Sequence, residues 1–420
     1  MRMLSVFAAA VLLATGVSGQ SGTVALVGAR VIDGTGAAPV SNATIVVTNG
    51  RIEGIGPSTS LKIPAGATRV DVAGKTIIPG LINAHGHLGY GDNKLPMYDQ
   101  IIQQLQLYAK FGVTTVYALG DDGVQSVRVS EENDKAPLTR ARVFVSGARA
   151  TAVTPEEARA TIASRHGQRV NIIKTGIGEG NNGDDMPAEG YSALIDEAHK
   201  RKLRVAAHLV NLAHAKGLVN AGLDVIAHSI RDQDVDAAFI AELKRRNIGY
   251  IPTLTRDLSV FQYESTPDYI NDPFFLRGLP LYAPHIERVK DPALHAKTKA
   301  NPATARAKQQ FDQALRNLKL LSDGGVTIAM GTDSGTGVGR WQGYFEQVEM
   351  ELMVKAGLTP MQSLVASTGN AAKVMNIDKE LGTLQTGKRA DFVVLSADPL
   401  TDIKNTRTIE SVWIDGRKLP

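Results

Sequence analysis

Apolar positions along the chain change rhythm twice. In "TVALVGARVIDGTGAAPVSNATIVVTNGRIEGIGPS", short β-branched runs at 24–27, 45–47 and 52–55 are cut by Gly, Asn and Asp. Such runs predict strands joined by tight turns, and Asn49-Gly50 between two of them predicts a hairpin. The C-terminal stretches "ADFVVLSADPL" and "IESVWIDGRKL" read the same way, with Asp415-Gly416 as a turn. Between the two ends the pattern is different. Apolar runs at 81–84, 113–119, 142–146, 170–174, 204–208, 225–228, 250–253 and 326–333 alternate with amphipathic stretches. In 97–111, Met97, Ile101, Leu105, Tyr108 and Phe111 form one helical stripe that stops at Gly112.

Eight strand-then-helix units over about 300 residues predict an α/β fold, a (β/α)8 TIM barrel. A doubly wound sheet is the alternative, but the G-x-G-x-x-G loop is absent where that fold needs it. The expected organisation is a signal peptide at 1–19, a small β-sandwich domain built from 20–78 and 381–420, and the barrel at 79–380. Residues 255–300, "RDLSVFQYESTPDYINDPFFLRGLPLYAPHIERVKDPALHAK" and its flanks, are rich in Pro, Asp and aromatics and too long for a plain connection. They follow the seventh strand and so are expected as a lid over the barrel mouth.

Composition narrows the class. Of 420 residues, 43% are hydrophobic and 21% charged, with a formal net charge of +4. These values are ordinary for a globular enzyme. No run of five like charges suggests nucleic-acid or anionic-membrane binding. "MRMLSVFAAAVLLATGVSGQ" has a basic start, an apolar centre and small residues before Gly19. This is a signal-peptide pattern, too short to be a stable membrane span, and it implies a periplasmic or secreted protein. The chain has no cysteine, so disulfides and thiolate chemistry are excluded and any metal site must use His, carboxylates or a modified side chain.

The chemistry gathers at strand ends. Strand one ends in His85 and His87, strand four in Lys174, strand five in His208, strand six in His228 and strand eight in Asp333. Residues two apart in a strand share a face, and barrel strands converge at one mouth. Four imidazoles, an amine and a carboxylate meeting there predict a metal site. His166, His199, His214, His285 and His295 fall in helices, loops or the lid and are weaker ligand candidates. Lys174 is unusual, because a barrel strand seldom ends in an unpaired buried ammonium.

With "PGLINAHGH", Lys174, His208, His228 and "GTDSGT" in that order, flanked by "VDVAGKTIIPG" and "LGTLQTGKRADFVVLSADPL", the chain resembles the amidohydrolase superfamily of metal-dependent hydrolases. The likeness runs from about residue 23 to the C-terminus and is nearest the branch of prolidase-like dipeptidases and imidazolonepropionases. The resemblance implies two divalent cations, zinc fitting the donor set best. It implies His85, His87 and Asp333 on the buried ion, His208 and His228 on the second, and an N6-carboxylated Lys174 bridging both. Two such ions share a hydroxide that attacks a carbonyl. Asp333 would move the proton from water to the leaving amine, with His228 beside the carbonyl oxygen.

Substrate-binding candidates are Tyr90 past the first strand, Arg256 and Tyr263 at the start of the lid, and His285 within it. The expected substrate is a small amide: an Xaa-Pro dipeptide or an N-acyl amino acid, ochratoxin-like amides included. A cyclic amide, as in imidazolonepropionase, or a lactone is the alternative. A non-catalytic metal- or ligand-binding barrel is the alternative of another class. A deaminase is disfavoured because "AAHLVNLAHAKG" lacks the glutamate of that branch. The resemblance also implies a homo-oligomer.

Overall fold

The computed structural model describes residues 22–89, 95–135, 137–178 and 186–420. The N-terminal signal-peptide stretch and Tyr90 lie outside the described residues. Five strands come first: β1 (Val24–Val31), β2 (Val40–Thr48), β3 (Arg51–Pro57), β4 (Thr68–Asp71) and β5 (Thr76–Pro79). Then β6 (Leu81–Gly86), β7 (Val113–Ala118), β8 (Arg142–Val145), β9 (Ile173–Gly176), β10 (Val205–His208), β11 (Val225–Ala227) and β12 (Gly249–Ile251) alternate with helices. The chain ends in β13 (Phe392–Leu395), β14 (Ile409–Ile414) and β15 (Arg417–Lys418).

The terminal strands form one hydrogen-bonded sheet in the order β15-β14-β13-β5-β1-β2-β3, with β4 beside β1. The sheet wraps back on itself, because Arg51 bridges to Arg389 just ahead of β13. It is thus one continuous wrapped ladder rather than two separate sheets. Leu26, Ile45, Ile52, Ile77, Phe392 and Trp413 fill its core.

Strands β6-β7-β8 and β9-β10-β11-β12 form two parallel arcs. Residues 326–334 act as the eighth stave, bridging Tyr250 through Ile328 and Gly86 through Ser334. The other gap is spanned where Asn171 N–H donates to the Val145 carbonyl at 2.8 Å. The arcs therefore close into the barrel. Its interior holds Ile82, Ala84, Tyr117, Ile172, Ala206, Ala227, Ile251 and Ala329, while Ile173, Val205, Ala207, Ile226 and Ile328 face the helices. This alternation explains the near-continuous apolar runs of parallel strands buried on both faces.

The expected lid is a packed substructure of short helices, including Leu279–Val289. Its Tyr263, Phe274, Phe275 and Tyr282 join Phe111, Trp341 and Tyr344 in a separate aromatic core. Met97, at the top of its helix's apolar stripe, is exposed while Ile101, Leu105 and Tyr108 are buried; the stripe outruns the neighbour it packs on. Arg142, 2% exposed, ties the barrel to the sheet through Asp391 (3.2 Å) and Asp415.

Candidate metal centre and adjoining cleft

Strand parity sets half of the site. Ile172, just ahead of β9, faces inward, so Lys174 two residues on does too; in β10, Ala206 does the same for His208. Parity alone would turn His228 outward, since Ala227 already faces in. His228 instead takes φ +79, and Asp333 takes φ +56. Left-handed conformations are costly for such residues and collect at functional sites. For His85, the register shift between Asn83 and Gly86 breaks the alternation after Ala84. The His85 carbonyl then accepts from Thr332 N–H (3.0 Å) and Asp333 N–H (2.7 Å), which draws the eighth stave onto β6.

Two glycines make room. A Cβ on Gly331 would meet the His85 backbone nitrogen at 2.9 Å and Ile251 at 2.5 Å. Gly120, at φ +118, passes close to Lys174 and His87, and its carbonyl receives His87 Nδ1 at 3.1 Å.

The six strand-end side chains meet. His87 Nε2 is 2.7 Å and His85 Nε2 3.4 Å from Asp333 Oδ1. Lys174 Nζ lies 3.5 Å from His85 Nε2. The His228 ring stands 4.6 Å from that of His85 and 4.4 Å from that of His208. All six are buried. Ligand atoms of His85, His228 and Asp333 lie within 4.8 Å of one another.

Burial, then the Lys174 amine, holds the His85 imidazole well below its usual range. Burial and the His208 ring do the same for His228. Burial pulls Lys174 down to about 7. Burial raises Asp333, but Arg340 and the two neighbouring histidines outweigh it and hold the carboxyl well below the carboxylate range. Burial thus holds the His85 and His228 rings toward the neutral form that can ligate a cation.

This donor set fits a cation. A carbonyl only accepts, so His87 Nδ1 must donate to Gly120. Its Nε2, 2.7 Å from Asp333 Oδ1, is the nitrogen left to face the centre. His85 Nδ1 is buried without a hydrogen-bond partner among the described residues. Imidazole nitrogens and carboxylate oxygens this close together are a donor set that suits a divalent ion.

Second contacts hold the ligand-type groups. His228 Nδ1 lies 2.9 Å from Thr253 Oγ1. Asn83 Oδ1 accepts from His85 N–H at 2.9 Å, and Asn83 Nδ2 donates to buried Glu346 at 2.6 Å. Arg340 Nη1 donates to Asp333 Oδ2 at 2.7 Å. A buried Asn inside a strand was visible in "LINAHGH"; Thr253 and Arg340 carried no local signal.

Beside the centre, Arg340 also lines a cleft of about 860 Å³ between the helix Met97–Lys110, the helix Leu279–Val289 and the loop 335–342. Of the candidate substrate residues, His285 lines it. Arg256 sits instead against Asp257 Oδ1 at 2.9 Å, an oxygen shared with buried Arg231 at 2.7 Å. Tyr263 is buried, its hydroxyl donating to the Gly339 carbonyl. It supports the loop 335–342 from below and does not line the cleft.

A barrel whose strand ends carry this His-His-Lys-His-His-Asp set defines a metal-dependent hydrolase class. The Amidohydrolase family model matches residues 281–419. An imidazolonepropionase from Stenotrophomonas maltophilia (strain R551-3) is 24% identical over 392 residues, 89% of this chain and 90% of that protein. A Bifidobacterium longum structure described as a prolidase superposes with TM-score 0.77 at 28% identity, over 95% of this chain and 94% of the other. The A. niger ochratoxinase structure gives TM-score 0.74 at 19% identity, over 94% and 95%. Together these likenesses support the amidohydrolase superfamily, in its prolidase- and imidazolonepropionase-related part, as the group this chain resembles.

Proposed function

We propose that the protein is a binuclear metallohydrolase that cleaves the C–N bond of a small amide, an N-acyl amino acid or an Xaa-Pro dipeptide. The observation that carries this reading is the meeting of six buried donors from five staves at one barrel mouth. His85, His87 and Asp333 would hold one ion and His208 and His228 the other. Lys174 would bridge them as a carbamate: its neutral amine adds to the carbon of CO2, forming the N–C bond and releasing a proton. Burial favours this by keeping much of the amine uncharged near neutral pH.

Bound divalent ions lower the pKa of water from about 15.7 to about 7 and polarise a carbonyl. The chain's own residues do the rest. Asp333 would take a proton from water and hand it to the departing nitrogen. His228, fixed through Nδ1 by Thr253, keeps its other nitrogen toward the centre. Arg340 fixes the orientation of Asp333.

Cleavage of the cyclic amide of imidazolonepropionate is the second reading, supported by the S. maltophilia relative. Lys174 favours the first, since the imidazolonepropionase branch is expected to manage with one metal and no lysine ligand. We also propose that the protein is exported. Metal analysis with mass spectrometry, and assays with and without chelator on N-acyl amino acids, Xaa-Pro dipeptides and imidazolonepropionate, test the function. Two metals per chain and chelator-sensitive cleavage of linear amides are expected. Ring opening alone selects the second reading, and fully metallated protein that hydrolyses nothing rejects both.

A further inference from the structure

The cleft beside the centre has a one-sided charge. Two guanidinium groups, Arg288 and Arg340, line it, and no Asp or Glu does among the described residues. Arg340 is committed to Asp333 and Thr336. Arg288 is exposed, one helical turn from His285, and its guanidinium makes no ion pair or hydrogen bond among the described residues.

A second observation lies in the opposite wall. Gln100, 8% exposed, donates through Nε2 to the Leu95 carbonyl at 2.7 Å. Because that carbonyl can only accept, the amide cannot be flipped. Gln100 Oε1 is left buried with no partner among the described residues. A buried orphan acceptor asks for a donor from a ligand. The cleft also has an apolar lining: Leu281, Trp341 and exposed Leu95.

Resting on the proposed amide hydrolysis, we infer that this cleft selects amides carrying a free carboxylate, an N–H and a bulky apolar group, with Arg288 reading the carboxylate and Gln100 the N–H. Among the described residues a free α-ammonium finds no counter-charge there. N-blocked amino acids are therefore preferred over free dipeptides, and Arg288 is a specificity-determining residue.

Sulfonamides resist hydrolysis, so binding can be separated from turnover. Calorimetry on the metal-loaded enzyme is expected to give N-tosyl-phenylalanine at least tenfold tighter binding than N-tosyl-phenylalaninamide or the dipeptide Phe-Phe. Arg288→Gln should erase the advantage over the carboxamide and leave carboxamide binding unchanged. Gln100→Leu should weaken both sulfonamides alike. Equal binding of acid and carboxamide, equal binding of Phe-Phe, or an Arg288→Gln variant with wild-type selectivity would overturn the inference even if amides are hydrolysed. Selective, Arg288-dependent binding without hydrolysis of any amide supports the cleft assignment and sinks the hydrolase reading instead.

Discussion

Thr253 offers a clean way to separate architecture from chemistry at this centre. It is fully buried, takes φ +51, and holds Oγ1 2.9 Å from His228 Nδ1. A β-branched residue in the left-handed region costs on the order of 1–3 kcal/mol. Thr253→Val keeps the shape and the backbone strain, so those terms cancel. What changes is one contact: a buried imidazole nitrogen loses its hydrogen-bond partner, at about 1–3 kcal/mol. A metal-binding His228 that loses its outer contact should also lose roughly 10–100-fold in metal affinity, which is about 1.4–2.7 kcal/mol. Thr253→Ser retains the hydroxyl and should restore affinity. Thr253→Gly releases the strain without supplying the hydroxyl, so its metal-free stability should stay near wild type while affinity falls as in the valine variant. Zinc competition against a chelator series, with thermal melts of the metal-free proteins, reads both quantities. Wild-type zinc affinity in Thr253→Val, or failure of Thr253→Ser to recover it, would refute the claim that this hydroxyl orients His228.

Three further outcomes are expected. Lys174→Ala should abolish turnover, with partial rescue by short-chain carboxylic acids that replace the bridging oxygens; undiminished activity rejects the bridge. Arg142→Met should cost about 3–5 kcal/mol by leaving Asp391 charged and buried without its partner, and a loss under about 1 kcal/mol by urea unfolding argues that the sheet and barrel are not joined through this pair. Burial raises Glu346 to about 7 and Glu349 to about 8 from an ordinary 4.5. The folded protein then holds protons that the unfolded chain has already released, so stability is full below about pH 4.5 and falls as pH rises through 7 to 8, by up to about 1.4 kcal/mol per unit for each group. Melts between about pH 5 and 9 should show that decline, and Glu349→Gln should flatten it; a melting temperature that climbs over the range contradicts the buried protonated state.

The alternation of strand and helix, the six donor residues and the β-rich ends could all be read directly from the chain. Period-2 and period-3.6 patterns record which side of each element meets water, and that is a local property. Donor type is likewise written in the residue itself, which is why Lys174 stood out behind an apolar run. The cleft residues were less legible. Arg256 and Tyr263 lie in the expected insertion, yet one is drawn to Asp257 and the other supports the loop 335–342. Gln100 and Arg340 were silent because their partners, the Leu95 carbonyl and Asp333, matter only through geometry.

By itself, then, the sequence determined the elements, their order and the inventory of groups able to bind a cation. Tertiary structure alone decided how those groups aim. His228 and Asp333 reach the centre only through left-handed backbone, and His85 only through a slipped register. Such conformations cost free energy locally and persist because the neighbouring staves hold them, His228 N–H donating to Ile251 and Asp333 N–H to His85. That constraint belongs to the assembled barrel and to no segment taken alone.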